Sequence, residues 1–474
     1  MTRRCSAIGP CLILAAACLV PPPSQADETD AAAPTASAEA AAKAKDAENL
    51  ELIKLFAETF DQVERNYVRE VDRRELVEAA IRGMLSELDP HSAYIPPDEL
   101  ERFKSSVENQ FGGVGVTVSL ETGKLAIVSP VYGSPAYRAG LRGGDRIVAI
   151  AGQPTDGITM DEAVRRMKGK IGTTVKVAIE RALGGERADL ELTRELVRAD
   201  SVLGDRRKSD DTWNFLLDHA DQDERKIGYV RITTFGRSTA DDFRSALIEL
   251  KAAGMQGLLL DLRFNGGGLL TSSIEVADLL VQRGRIVSTS GRNARQRVWN
   301  AKEEGTFAGF PIVVLVNRTT ASASEIVAAC LQDHGLAKVV GERTWGKGSV
   351  QNVVELESGR SALKLTTAGY VRPSGKNIHR DENSAETDEW GVRPDEGLEV
   401  ILTPDEREAY AADRRRRDAI VARAEGGGPP APAKLDGQLQ AAYDELLRQL
   451  AAKASPAPQP PTAPQPSLET ADAQ

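Results

Sequence analysis

Ser322 lies in the run Asn317-Arg318-Thr319-Thr320-Ala321-Ser322-Ala323-Ser324-Glu325, between an apolar strand pattern at 312–316 and an apolar helical one from Ile326. Small neighbours let a side chain sit exposed at a tight turn. Two kinds of chemistry fit the position. Ser322 with Glu325 three residues later is a capping box that would start the helix, and taken alone this accounts for the serine. A serine at the amino end of a helix also feels the positive end of the dipole, which favours a developing anion, so the same position suits a nucleophile.

A hydroxyl nucleophile needs a base. The four histidines, His91, His219, His334 and His379, are scattered through unrelated contexts, and none has a triad-like setting. Lysine can serve if desolvation lowers its pKa toward neutrality. Lys347, in the turn Trp345-Gly346-Lys347-Gly348-Ser349, is the candidate, although an isolated Gly-Lys-Gly is otherwise a solvated loop. The turn also approaches a phosphate-binding loop, with Gly341, Gly346 and Lys347 in register. That reading fails at Gly348, where Ser or Thr should hold Mg²⁺, and at 350–356, which reads as strand where a helix should follow.

A third segment, Asp261-Leu262-Arg263-Phe264-Asn265-Gly266-Gly267-Gly268, joins a buried strand to a helix. Its glycines are consecutive and lack the spacing of a dinucleotide fingerprint. Backbone amides exposed by such a turn could instead stabilise a tetrahedral oxyanion.

The elements that must position these residues follow from periodicity. From Lys226 the pattern alternates strand (227–232), helix (239–253), strand (257–262), helix (269–282) and strand (312–316), which predicts a mostly parallel sheet covered by helices. Helical spacing from Leu50, and again through Leu76 to Leu85, predicts a helical unit that ends at Asp89-Pro90-His91, where proline breaks the pattern. Residues 111–195 are β-rich, with strands at 146–150 and 175–179, helices at 134–139 and 161–167, and enough chain for one small domain. After Gly397 come a charged helix from Pro404 to about Arg423, a Gly-Gly-Gly-Pro-Pro break at 426–430, and a last amphipathic helix. Leu439, Tyr443, Leu446, Leu447 and Leu450 line one face of that helix and need a partner surface; they and the helix from Leu50 are the candidates for self-association.

The 474 residues, 41% of them hydrophobic and 27% charged, suit a globular protein of two or three domains. A net charge of −10 has the wrong sign for a general nucleic-acid binder and directs attention to protein partners. Arg3, Arg4, the apolar run 11–20 and Ser24-Gln25-Ala26 read as a secretory leader cleaved after Ala26. The run is too short for a membrane-spanning helix. The alternative is a lipid anchor at Cys18. Removal of the leader would take Cys5, Cys11 and Cys18 with it, leaving Cys330 as a buried structural thiol. The expected location is therefore exported, periplasmic or in the cell envelope.

Together the serine, lysine and glycine segments resemble the carboxyl-terminal processing, or tail-specific, protease family over most of residues 50–400. The resemblance implies that Ser322 is the nucleophile, Lys347 the base, and Gln351, four residues further on, a group that orients the lysine. It implies an oxyanion hole from the amide of Ala323 and one of Gly267 or Gly268, in a turn where the family's usual Asn and Pro are replaced by Phe264 and Gly266. Leu88-Asp89-Pro90-His91-Ser92-Ala93-Tyr94, 362–367, Arg372-Pro373-Ser374-Gly375 and Gly391-Val392-Arg393-Pro394-Asp395 match as well.

Residues 111–195 resemble a PDZ domain, with Phe111, Gly112, Gly113, Val114, Gly115 and Val116 as its carboxylate-binding loop; such a domain would capture a substrate's carboxyl terminus as an added strand. The expected fold class is α/β in the α+β multidomain sense: a helical amino-terminal unit, an inserted PDZ domain and a mixed β-sheet protease core covered by helices. The expected divisions are leader 1–26, flexible tether 27–48, helical region 49–108, PDZ domain 109–196, Ser-Lys core 197–402, carboxyl-terminal helices 403–454 and disordered tail 455–474. The resemblance implies no metal or cofactor. It implies protein or peptide substrates held by their carboxyl termini, and it admits an adaptor protein, a homo-oligomer, peripheral membrane association and autoinhibition by a mobile PDZ domain. A PDZ adaptor with an inactive protease fold and a nucleotide hydrolase are the rival readings.

Overall fold

The computed structural model describes residues 36–218, 225–293, 295–421 and 436–454. The expected leader, Cys18, the Gly-Pro break at 426–430 and the tail from 455 lie outside the described residues. The chain divides into two units, residues 1–79 and 80–474.

In the first unit the helix Ala36–Asn66 begins inside the stretch expected to act as a tether, whose alanines have the highest helix propensity. The next helix, Arg73–Ser86, is capped by Asp72, whose Oδ1 accepts from the amides of Arg74 at 2.7 Å and Glu75 at 3.0 Å. Leu52, Ile53 and Phe56 are exposed on the long helix.

The centre of the second unit is a five-stranded sheet in the order Val202–Leu203, Ile227–Ile232, Gly257–Asp261, Ile312–Val316 and Ala337–Gly341. The last four strands run parallel, and the first is antiparallel to its neighbour. The central strands are apolar on both sides because both faces are covered. Val230, Leu258, Leu260, Val314 and Val339 pack with the helices Thr239–Ala252, Leu270–Asp278 and Ala323–Asp333, and Cys330 is buried among them. Tyr229, Leu259, Val313, Leu315 and Val340 point the other way, onto Leu439, Tyr443 and Leu446 of the helix Gly437–Ala454.

The face at Leu439 to Leu450, expected to be an exposed stripe for self-association, is therefore the inner face of a cover on the chain's own sheet. Periodicity shows that such a face needs a partner without showing which surface supplies it.

A second, antiparallel sheet orders Ala93–Ile95, Ser361–Val371, Arg285–Ser290 and Arg297–Asn300, with Ser349–Leu356 also paired to Ser361–Val371. This sheet and the turn of Lys347 meet because Ser349 starts its strand two residues after the lysine.

The inserted domain enters through Gln110–Gly113 and leaves through Glu195–Arg198, which pair antiparallel. Between them a sheet of Val116–Glu121, Lys124–Pro130, Arg146–Ile150, Thr174–Glu180 and Arg187–Thr193, with Gln153–Pro154 on its edge, encloses its own core with the helix Met160–Met167. The helix Pro404–Asp418 is fixed to the central sheet by Asp418, paired to Arg231 at 2.6 Å, and by the buried pair Arg417–Asp205 at 2.6 Å. Just beyond it, Ile420 accepts from the amide of Gly143 at 2.8 Å and donates to Ser129 Oγ at 3.0 Å, tying the inserted domain to the core. No helix among the described residues is long and apolar enough to cross a membrane.

Candidate active site

Ser322 follows the strand Ile312–Val316 and a five-residue turn, and it occupies the N-cap of the helix Ala323–Asp333. Its backbone is not that of an ordinary cap. Ser134, Thr159 and Thr403, three caps in the same chain, are extended at φ −72°, −80° and −63°, whereas Ser322 has φ 58° and ψ −116°. A non-glycine residue held there costs about 1–3 kcal/mol and persists only if its surroundings enforce it. They do. Ser322 donates its amide to Glu325 Oε2 at 2.7 Å, Ala321 donates to the carbonyl of Asn265 at 3.0 Å, and Ser324 Oγ donates to that same carbonyl at 3.0 Å.

Glu325 does more than close a capping box. Its Oε1 accepts from Thr344 Oγ1 at 2.5 Å and from the amide of Gly346 at 2.7 Å, and its Oε2, already bonded to Ser322, accepts from the amide of Lys347 at 2.9 Å. One carboxylate oxygen thus joins the main chains of Ser322 and Lys347. Glu325 is fully buried, and burial pushes its carboxyl up to about 6 against the pull of these four donors. The sequence reading assigned Glu325 a local role and missed this one, because the partners Thr344, Gly346 and Lys347 are remote in the chain.

Lys347 is half-buried. Burial is the largest cause holding its amine below the ordinary lysine range; the ammonium of Lys364 adds to this, while Glu325 and Asp89 oppose it. The flanking glycines are required by contact. A Cβ on Gly346, at φ 87°, would lie 2.7 Å from Arg380 Cβ, and one on Gly348 would lie 2.2 Å from the amide nitrogen of His379. The segment after the turn is a strand, so the turn does not open into a helix, as the failed phosphate-loop match indicated.

Gln351, on that strand, donates through Nε2 to Ser349 Oγ at 2.8 Å and to Thr366 Oγ1 at 3.3 Å.

The glycine turn abuts Ser322. A Cβ on Gly267, at φ 106°, would stand 2.8 Å from Ser322 Cβ and 3.1 Å from the amide nitrogen of Ala323. The Gly267 amide is occupied, donating to Asn265 Oδ1 at 2.8 Å. Among the described residues the amides of Ala323 and Gly268 have no acceptor. The turn is anchored below by Asp261 and Arg263, both buried and paired at 2.8 Å, and Arg263 continues to Asp436 at 2.7 Å. Phe264 stands at φ 62° and stacks on Tyr410 with ring centres 5.2 Å apart. Asparagine, which the resemblance implies at this position, tolerates that backbone more readily.

In the inserted domain, Phe111, Gly112 and Gly113 lie in the incoming strand, Val114 and Gly115 link it to the next, and Val116 opens the strand Val116–Glu121. That strand is outermost in its sheet, and Val116 and Val118 pack against the core that holds Ala163 and Met167 of the adjacent helix.

Profiles of three families match the chain: Peptidase family S41 at residues 226–397, the PDZ domain at 127–181 and the activating protease CtpB N-terminal domain at 20–98. A carboxy-terminal-processing protease of Bartonella bacilliformis is 34% identical over 414 residues, covering 83% of this chain and 87% of that protein. The chain belongs to the carboxy-terminal processing protease family. Another member, the carboxy-terminal processing protease CtpA of Bacillus subtilis, is 34% identical over 323 residues, covering 68% of this chain and 65% of that protein. A solved photosystem II D1 C-terminal processing protease is 31% identical, covering 74% of this chain and 93% of that one at a TM-score of 0.41. As a carboxy-terminal processing protease of peptidase family S41, the chain is a serine hydrolase that carries a PDZ domain, with the mixed helix-and-sheet architecture expected of it.

Proposed function

We propose that this protease cuts exported or cell-envelope proteins through an acyl-enzyme on Ser322, with Lys347 as the base and the PDZ domain holding the substrate's carboxyl terminus. The observation that carries the reading is the single Glu325 oxygen bonded to the main-chain amides of both Ser322 and Lys347, which joins the backbones that carry a strained serine and a desolvated lysine.

The neutral amine of Lys347 takes the Ser322 proton as Oγ attacks the scissile carbonyl. The amides of Ala323 and Gly268, at the positive end of a helix, receive the oxyanion; of the two glycines this one has the unoccupied amide. Lys347 then returns the proton to the leaving amine, and a water activated by the same amine releases the acyl group. In the PDZ domain, Val114 to Val116 would meet the terminal carboxylate while the substrate adds to the open edge of Val116–Glu121. The leader supports export.

The test is digestion of an unfolded, apolar-tailed protein by the native sequence and by Ser322→Ala and Lys347→Ala. Each variant is expected to lose at least about a thousandfold in rate. Cleavage at the native rate by both would refute the assignment.

A further inference from the structure

The segment Asp89-Pro90-His91-Ser92 matches the family without having a role in the reading above, yet it touches the strand pair that carries Gln351. Asp89 Oδ1 accepts from the amides of His91 at 2.7 Å and Ser92 at 2.8 Å, which closes the turn. Its other oxygen, Oδ2, accepts from Ser92 Oγ at 2.7 Å. Ser92 Oγ accepts in turn from the amide of Thr366 at 3.1 Å and lies 3.5 Å from Thr366 Oγ1. Thr366 Oγ1 accepts from Gln351 Nε2. The contacts are fixed by the sheet: Ala93 pairs with Lys364 on one side of the strand Ser361–Val371, and Gln351 pairs with Thr366 on the other.

This chain has a direction. A carboxylate only accepts, so the single hydroxyl hydrogen of Ser92 goes to Asp89. The Thr366 hydroxyl hydrogen is drawn to the same pair, Ser92 Oγ or the Asp89 carboxylate, which leaves Thr366 Oγ1 to accept from Gln351. Both N–H groups of the Gln351 carboxamide are thereby committed, to Thr366 and to Ser349, and no donor among the described residues reaches its Oε1. Shape alone would not distinguish the two ends of a carboxamide; the charge at Asp89 does.

We propose that Asp89 is a positioning residue for the reaction: through Ser92 and Thr366 it fixes the polarity of Gln351, so that an acceptor oxygen rather than an amide N–H is presented to the amine of Lys347. A neutral amine has two N–H groups and one lone pair. Holding an N–H on Gln351 Oε1 turns the lone pair toward the serine. The inference rests on the Ser322–Lys347 reading and on the orienting role expected of Gln351.

Asp89→Asn tests it, because the substitution is isosteric and selective. The amide oxygen of Asn keeps both turn amides, while its NH₂ replaces Oδ2 and donates to Ser92 Oγ. The hydroxyls of Ser92 and Thr366 then reverse, and Gln351 turns its NH₂ toward Lys347. With the native sequence, Ser322→Ala, Asp89→Asn, Thr366→Val and the Asp89→Asn/Thr366→Val double variant, kcat and KM are measured on an unfolded protein substrate across pH, alongside thermal unfolding.

The expected result is a kcat lower by on the order of ten- to a hundredfold in Asp89→Asn with KM and unfolding temperature little changed. The acid limb of its profile should move to lower pH. The charge that favours the Lys347 ammonium is gone and N–H groups now face it, while Glu325, Lys364 and His91, the other charged or titratable neighbours, remain. The limb reports the lost charge; the relay is read from the fall in kcat on the high-pH plateau, which a turn that merely supported the fold would produce only together with a lower unfolding temperature. Thr366→Val should lower kcat with no change of charge, and the double variant should be little worse than either single one. Native kcat and limb in Asp89→Asn, or losses that multiply in the double variant, would overturn the proposal while leaving the dyad in place, provided Ser322→Ala is inactive. An active Ser322→Ala would overturn the dyad and this proposal together.

Discussion

A lysine base works only when neutral, so under the proposed mechanism activity rises with pH as the Lys347 amine loses its proton, and everything that disfavours the ammonium moves that rise to lower pH. Burial does most of this, and Lys364 assists by like-charge repulsion. Lys364→Met removes the repulsion and raises the Lys347 pKa. The expected outcome is a kcat/KM profile whose acid limb moves to higher pH, with lower activity at neutrality and an undiminished plateau. A limb that stays put or moves down would show that Lys364 does not act on the base.

Ser322 and Lys347 could be proposed from the sequence because small residues and glycines mark their turns, while Gln351 is named only through the family resemblance. The bonds of Glu325 to Thr344, Gly346 and Lys347, and the link from Asp89 through Ser92 to Thr366, could not be anticipated, since contacts between segments remote in the chain leave no local pattern.

Among the elements, strands are the easiest to anticipate: Ile312–Val316 stands where an unbroken apolar run places it, and Ile227–Ile232 where a strand pattern interrupted by Arg231 does. The helix Leu270–Asp278 ends short of its expected limit at Gln282, and the apolar residues Leu279, Leu280 and Val281 continue into the core through a turn. Burial continued while regular structure did not. The helix Gly437–Ala454 corrects a different error, in which an apolar face with a partner inside the chain was given one outside it. Leu446 is fully buried there, and a Cβ on Gly257 would come within 3.1 Å of its side chain. Leu446→Ala should therefore destabilise the protease by about 2–5 kcal/mol, read as a lower unfolding temperature, with its oligomeric state unchanged. A variant as stable as the native protein would contradict the packing described.

At the scale of the whole molecule, the inserted domain and the core share contacts that do not depend on substrate. Ile420, at the end of the helix Pro404–Asp418, bonds to Gly143 and Ser129, and Tyr410 of the same helix stacks on Phe264 in the glycine turn. The amino-terminal unit is left with Leu52, Ile53 and Phe56 exposed on a 31-residue helix. A second copy of the chain is our proposed partner for this face, since two such helices could bury each other's apolar residues. Phe56→Ser should then elute from gel filtration as a smaller species than the native protein. Identical elution would remove this helix from any account of assembly.

The central claim is that Ser322, activated by Lys347, becomes acylated. Brief reaction with a peptide ester followed by acid quench and peptide mapping by mass spectrometry reads this directly. The account predicts an acyl group on the peptide containing Ser322, formed in the native protein and lost in Lys347→Ala. An acyl group on any other residue, or one formed equally fast in Lys347→Ala, would contradict it.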